Sequence, residues 1–470
     1  MDKIDFICLS PLLILAGATV VIMLATTIRR SFVFTGSLTL IAFTAAFFSL
    51  FIIRSYLPHD FDPLIVVDNF GLLFLGILYI SSILVTILTY SYLKAQAGER
   101  EEYFILLLVA VLGASVLVLA HHFISFFLGL EILSISLYVL TAYLKWRDIC
   151  IEAGVKFLVF SSLSTAFLLF GMGLIYLSSG SMRFDEIIRA VPGSSPAFLI
   201  GTGMMLVAIG FKLALVPFHM WAADVYQGAP MPATIFVATI SKGSVLALAL
   251  RMFAEMKIID NENIITVVSF VSIVTMLTGN LLALRQDNVK RLLAYSSIAH
   301  LGYLMITLVS GSSGTNAAIF YLTVYILTTL AAFGVLTALS VCERDAQDIS
   351  DLVGLAYRKP WLAIVFSVAM LSFAGIPLTA GFMSKFYLVL AGAKAGVWAL
   401  AVSLVINSTI SLYYYLRLIR IMFTEPLPGE KVEVVAGTNL VLAFSLAGII
   451  ILGILPSVML SIINSVLGLK

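Results

Sequence analysis

Apolar residues run along the chain in long unbroken blocks separated by short polar clusters, with none of the sustained alternation that marks a half-exposed strand. About fourteen blocks have the length of a membrane-crossing helix, near 5–27, 32–53, 69–93, 103–120, 122–144, 154–178, 196–226, 230–254, 263–284, 290–310, 315–341, 360–391, 396–423 and 437–467. Most exceed the roughly 20 residues that span a bilayer. Only His121-His122 separates the fourth block from the fifth, which makes that boundary soft. The pattern predicts an all-α polytopic membrane protein of about 14 transmembrane helices, a single membrane domain over 1–470 with no room for a soluble domain.

Two blocks are longer than a simple span and carry a proline near the middle. One contains Phe211-Lys212-Leu213-Ala214-Leu215-Val216-Pro217-Phe218-His219, the other Ala374-Gly375-Ile376-Pro377-Leu378-Thr379-Ala380-Gly381. Proline removes a backbone donor and clashes with the preceding turn. Each block therefore reads as two half-helices joined by an unwound piece, tolerated at membrane depth only where protein or a wet cavity satisfies the backbone. Interrupted helices at matching places suggest an internal repeat. A five-helix unit separates the two breaks, and an odd number inverts the topology. The expectation is two inverted five-helix repeats, helices 4–8 over 101–256 and helices 9–13 over 257–424, each with one broken helix. Helices 1–3 (1–100) and a C-terminal helix (425–470) flank them.

Composition agrees with a membrane location: 61% of residues are hydrophobic and 11% charged, where soluble domains carry about 25% charge. A net charge of +2 gives no reason to expect nucleic acid. Cys8, Cys150 and Cys342 are scattered without a CxxC pair, so neither zinc nor an iron–sulfur cluster is indicated. The first block has no Lys/Arg excess before it and no clear cleavage site, and is expected to be a retained helix.

Five charges then stand out because they fall inside apolar blocks: Glu131, Lys156, Lys212, Lys242 and Lys385. On insertion scales each costs roughly 3 kcal/mol at the bilayer centre, on the order of 15 kcal/mol together. Such residues point by default to an ion or proton path. Each also has a plainer reading. Glu131 can be a structural carboxylate, with Ser134 and Tyr138 on its own helical face. Lys156 lies only a few residues into its helix and can snorkel outward. Lys212 precedes the first break, Lys242 is mid-helix, and Lys385 follows the second break. A buried lysine is tuned by desolvation and by a nearby carboxylate, which suits proton exchange. A metal cation would instead want carboxylates and carbonyls. Four lysines to one carboxylate favour protons.

His219, directly after the first break, and His300, in Ser296-Ser297-Ile298-Ala299-His300, are secondary candidates for the same path, with a satisfied core histidine as the alternative. His121-His122 reads as an interfacial loop and Gly311–Gly314 as a turn. No phosphate loop, dinucleotide fingerprint or hydrolytic triad is present. Uphill proton movement would therefore draw its energy from a partner, at about 2.3 kcal/mol per proton per 100 mV. With the N-terminus outside, 15 basic residues fall in inside loops and 8 outside. The positive-inside rule thus places both termini on the outer side.

The stretch Phe126–Tyr138 (FFLGLEILSISLY) resembles the fifth helix of the antiporter-like membrane subunits of respiratory complex I. FKLALVPFHMWAADVYQGAPMPAT at 211–234, NVKRLLAYSSIAHLGY at 288–303 and AGIPLTAGFMSKFY at 374–387 resemble later stretches of the same subunits. The resemblance is strong over about 100–430. One sister subunit of that family has a glutamate where Lys385 stands, and DVYQGAP sets the chain apart from it. A proline common in the family is Ala223 here. The resemblance implies a proton-translocating module in which Glu131 and Lys212 form a pair in one half-channel, Lys156 and Lys242 connect sites, and Lys385 ends the path. It implies no cofactor and no metal in this chain. NADH, FMN, iron–sulfur clusters and quinone would belong to partner subunits, alongside sister antiporter-like subunits, in a bacterial inner membrane. The alternative is a subunit of a related multisubunit sodium–proton antiporter.

Overall fold

The computed structural model describes residues 2–96, 98, 100–190, 195–340, 344–425 and 435–468. Cys342, Lys431 and Lys470 lie outside the described residues, as does the side chain of Arg189. The principal helices in chain order are α1 (Ser10–Ile28), α2 (Phe32–Ile53), α3 (Asn69–Lys94), α4 (Glu101–Leu119), α5 (Phe123–Thr141), α6 (Asp148–Ser179), α7 (Pro196–Lys212), α8 (Met220–Gly228) and α9 (Met231–Glu255). They continue with α10 (Glu262–Ala283), α11 (Val289–Val309), α12 (Gly311–Leu339), α13 (Pro360–Ala374), α14 (Ala380–Lys394), α15 (Trp398–Met422), α16 (Ala436–Ile454) and α17 (Pro456–Leu467).

Among the described residues twelve helices are long and apolar enough to cross a membrane. The two expected blocks missing from that count are the ones with the central prolines, each divided into two shorter helices. Local chemistry sets many of the ends. Pro196, Pro360 and Pro456 each open a helix, where a missing N–H is harmless. The side chains of Ser31, Ser195 and Asn288 accept N-terminal amides. Gly180 closes α6 in the left-handed region. The helices carrying Lys242 and His300, α9 and α11, are buried almost all round, as helices apolar on every side are.

The chain forms two compact units. One comprises Met1–Thr86, Gly98–Ala214 and Ile240–Thr266; the other comprises Ile87–Ala97, Leu215–Thr239 and Val267–Lys470. In the first unit α4 and α5 pack closely because Gly113 and Gly129 face each other. A Cβ on Gly113 would lie 2.6 Å from the Leu133 nitrogen, and one on Gly129 would lie 2.8 Å from that of Leu117. Small residues permit such approach where lipid supplies no hydrophobic drive. This contact fixes the rotation of α5, and with it Glu131.

Several expectations change. The all-α class holds, with one small addition in a connection: β1 (His59–Phe61) and β2 (Ile65–Val67) form an antiparallel hairpin. The Gly311–Gly314 stretch is not a turn but the first turn of α12, pressed so close to α11 that a Cβ on Gly314 would lie 2.2 Å from the Thr307 carbonyl oxygen. His121-His122 does separate α4 from α5, and the His122 side chain caps α5 by accepting from the Ile124 amide. Two basic residues assigned to loops, Arg251 and Lys290, are buried in ion pairs.

The hairpin belongs to a string of alternating charges in the first unit. Arg183 pairs with Asp60 and Asp62 of the hairpin and with Asp185. His121 Nε2 lies 3.1 Å from Asp185, and its Nδ1 lies 2.7 Å from Glu255, off the ring's N–H axis. Arg251 joins Glu255 to Asp68. The Glu255 carboxylate held against the ring raises the His121 pKa above its usual value, against the effect of burial and with help from the charge of Asp185. A raised pKa in the folded state stabilises at pH below the unfolded value of about 6.5, and that stability is lost as pH rises through the folded value. Hydrogen exchange at 59–67 is therefore expected to accelerate as pH rises above the unfolded value and through the raised folded one, after correction for intrinsic chemistry. His121→Gln should flatten that dependence. An identical profile in wild type and variant would remove His121 as its source.

Candidate buried proton site

Both proline breaks are real interruptions, and both end beside a lysine. α7 stops at Lys212, and the chain passes through Ala214 at φ 57° before α8 begins at Met220. The Val216 amide donates to Thr275 Oγ1 at 3.0 Å. α13 stops at Ala374, Gly375 takes φ 82°, and α14 begins at Ala380. A helix C-terminus presents unpaired carbonyls and about half a negative charge. Lys212 sits on its own helix end. Lys385 reaches back across the break, its Nζ donating to the carbonyls of Phe373 at 2.7 Å and Ala374 at 3.0 Å and to Ser408 Oγ at 2.7 Å. Both lysines are under a tenth exposed.

In the first unit Lys212 Nζ donates to Ser134 Oγ at 2.6 Å and to Ser161 Oγ. Tyr138 also donates to Ser161, at 2.6 Å. Glu131 accepts from Thr165 Oγ1 at 2.7 Å, and Thr165 bonds the Ser161 carbonyl. Among the described residues no ion pair joins Glu131 to Lys212. Hydroxyl groups on α5 and α6 lie between them, each able to donate and accept. The expected pair is thus a hydroxyl-bridged cluster, in which Ser134, expected on the face of Glu131, is joined by Ser161 and Thr165. Their signal in the sequence was the polar run Ser161, Ser162, Ser164 and Thr165 in an apolar helix.

Lys242 is fully buried directly after a π-helical turn over Val237–Ser241. Such turns are rare and concentrate at functional positions. The extra residue per turn changes where the following side chain points, and nothing in the spacing announced it. Lys156 differs from the others. Its side chain is 40% exposed and lies 2.8 Å from Glu152, one turn earlier on α6.

In the second unit His300 is buried, with Nδ1 2.6 Å from the Tyr321 hydroxyl and Nε2 3.2 Å from that of Tyr415. His300 and Lys385 line one cavity of about 10 Å³ with Ser372, Thr328 and Tyr325, the size that admits a single water. Lys385 also borders a larger open pocket of about 350 Å³. His219 occupies the N-cap position of α8 without a side-chain capping bond and is half-buried; Asp224, further along α8, pairs with Arg291 at 2.7 Å. Among the described residues no group of three or more His, Cys, Asp or Glu side chains gathers as a metal site would.

Residues 120–411 match the family described as NADH:quinone oxidoreductase/Mrp antiporter, transmembrane. The chain belongs to this family. It is similar to NADH-quinone oxidoreductase subunit N of Methylococcus capsulatus, 41% identical over 95% of this chain and 92% of the relative. A chain of respiratory complex I from Thermus thermophilus, solved with bound aureothin, superposes with a TM-score of 0.84 at 32% identity, covering 96% of this chain and 98% of that one. A chain of the Mrp complex from Dietzia superposes with a TM-score of 0.88 but at 19% identity, covering 100% and 97%; that likeness concerns the fold alone. The family includes both complex I and antiporter subunits; Lys385 and DVYQGAP had set the chain apart from one sister subunit, and the 41% identical relative is a subunit N.

Proposed function

We propose that this chain is a proton-translocating membrane-arm subunit of an NADH–quinone oxidoreductase. Protons would move through two half-channels centred on Lys212 and Lys385 and be driven by electron transfer in partner subunits that hold NADH, FMN, iron–sulfur clusters and quinone. The observation that carries this reading is the pair of broken helices, each ending against a buried lysine surrounded by hydroxyls and carbonyls. A fixed structural cation needs no such set of donors and acceptors, whereas a group that alternately holds and releases a proton does.

Glu131 would set the field at Lys212, Lys242 would link the halves, and Lys385 with His300 would end the path. Lys156, paired on an exposed face, is placed at its edge, and His219 beside the first break has a secondary role. The parallel breaks support inverted repeats over 101–256 and 257–424. The loop charges support both termini on the outer side of a bacterial inner membrane. Sister antiporter-like subunits would be the immediate neighbours.

The test is to isolate the tagged chain with its partners in mild detergent and assay inhibitor-sensitive NADH–quinone reduction. Activity with a large set of peripheral and membrane subunits supports the reading. A small all-membrane assembly that exchanges sodium for protons without redox activity overturns it. In sealed vesicles, Lys385→Ala is expected to remove this chain's share of the protons pumped per electron, proton transfer through it slowing by about 10²-fold or more. Normal pumping by an assembled Lys385→Ala complex would remove that residue from the path.

A further inference from the structure

An ion pair outside the lysine series lies at the start of α11. Lys290 is wholly buried, its Nζ 3.2 Å from Asp345 Oδ2 and donating to the Ala229 carbonyl at 2.7 Å. Asp345, itself 7% exposed, accepts from the Tyr92 hydroxyl at 2.7 Å. Lys290 is the second residue of its helix, where the helix dipole disfavours a cation. A pair that served only to hold the Asp345 loop against α11 would be matched or bettered by apolar groups of the same volume. The charges are thus placed where they are costly.

Polar groups resume further along α11, past the buried Leu293 and Ala294. Ser297 lies two turns beyond Lys290 on the same face, about 10 Å along the axis. Its hydroxyl is 2.6 Å from that of Tyr325 and 3.3 Å from that of Tyr226. One turn further is His300, which shares its cavity with Lys385.

We propose that Lys290 and Asp345 form a proton-loading site for the His300–Lys385 path, an inference that rests on the proton-translocation reading above. Lys290 gives a proton towards Ser297 and His300: its N–H bond breaks and a new bond forms to an intervening water or hydroxyl oxygen. A proton taken up by the Asp345 carboxylate then passes to the neutral amine, which restores the ammonium and the carboxylate. No net charge is created within the pair over the cycle.

The experiment uses the assembled complex in sealed vesicles and reads the protons pumped per electron, with subunit content as the measure of assembly. Lys290→Arg keeps the positive charge but cannot release a proton in a protein. It is expected to lower the ratio by this chain's share, to the same level as Lys385→Ala, whereas Asp345→Glu, which keeps a titratable carboxyl, is expected to retain pumping. A purely structural pair would leave Lys290→Arg at the wild-type ratio, and that result overturns the proposal. If the guanidinium blocks assembly, the neutral double variant Lys290→Met with Asp345→Asn decides. Low pumping by an assembled complex supports the loading site, and wild-type pumping overturns it. Loss of assembly in both variants identifies a structural clamp and also overturns it. Lys385→Ala in the same assay separates the two readings: if it alone is impaired, only the loading site falls.

Discussion

Lys212→Ala is expected to abolish most coupled proton transport while leaving the helices around it in place. Lys212 is the last residue of α7 and anchors no salt bridge among the described residues. Its contacts are the hydroxyls of Ser134 and Ser161, which can turn to each other or to water when the ammonium is gone. Its removal takes away the titratable nitrogen between the Glu131 cluster and the break. A positioned proton-transfer group contributes about 10²–10⁴-fold in rate, so pumping is expected to fall by roughly 100-fold. Lys212→Arg separates charge from titration, because a guanidinium preserves the first and lacks the second. Both variants should be impaired. Recovery with arginine would make Lys212 a fixed countercharge to Glu131 and would refute its role as a carrier. The measurement is dye-reported acidification per electron in vesicles containing intact complex.

How much of this arrangement was legible depended on what carried it. Charges in apolar blocks are conspicuous because burying them costs several kcal/mol each, and Lys212, Lys242 and Lys385 are buried where that argument places them. Pro217 and Pro377 located both breaks because a missing N–H acts locally. The Glu131–Lys212 relation was only half legible. Sequence puts the two on different helices, but the hydroxyls between them depend on the close approach of α4 to α5 and on the register of α6. Lys290 and Arg251 were misread as loop charges because they lie near helix ends. Their partners, Asp345 and Asp68, come from distant chain segments, and pairing at that separation leaves no local signal. The hairpin at 59–67 was missed for a related reason, being three residues per strand and held by side chains from elsewhere, among them Ser125 donating to the Leu64 carbonyl. Lys156 shows the limit of counting charges: its helix begins ahead of the apolar block and carries Glu152 one turn earlier, and the pair faces outward.

Gly381→Ala is expected to have the largest structural effect of any single methyl group in the second unit. A Cβ at this position would lie 1.7 Å from the Ser372 carbonyl oxygen and 2.5 Å from its carbon. Those are backbone atoms, so no side chain can move aside. Ser372 Oγ also accepts from the Gly381 amide at 3.2 Å, tying the first turn of α14 to the last turn of α13. To admit the methyl group α14 must shift along or away from α13. That shift would pull Lys385 off the Phe373 and Ala374 carbonyls, which it reaches only because the two half-helices approach this closely. Overpacking usually costs about 1–3 kcal/mol, and a backbone clash this short places the change at or above the upper end. The expected result is a lower thermal transition of the complex or loss of the subunit from it. Any assembled fraction should pump poorly, because the Lys385 carbonyl contacts are broken. Gly173→Ala is the matched control. It is a helical glycine with no neighbour within 4 Å of its Cβ position, and alanine there gains up to about 1 kcal/mol in helix propensity. Equal stability of the two variants would mean that α13 and α14 separate freely at the break. Lys385 would then be held by something other than their close approach.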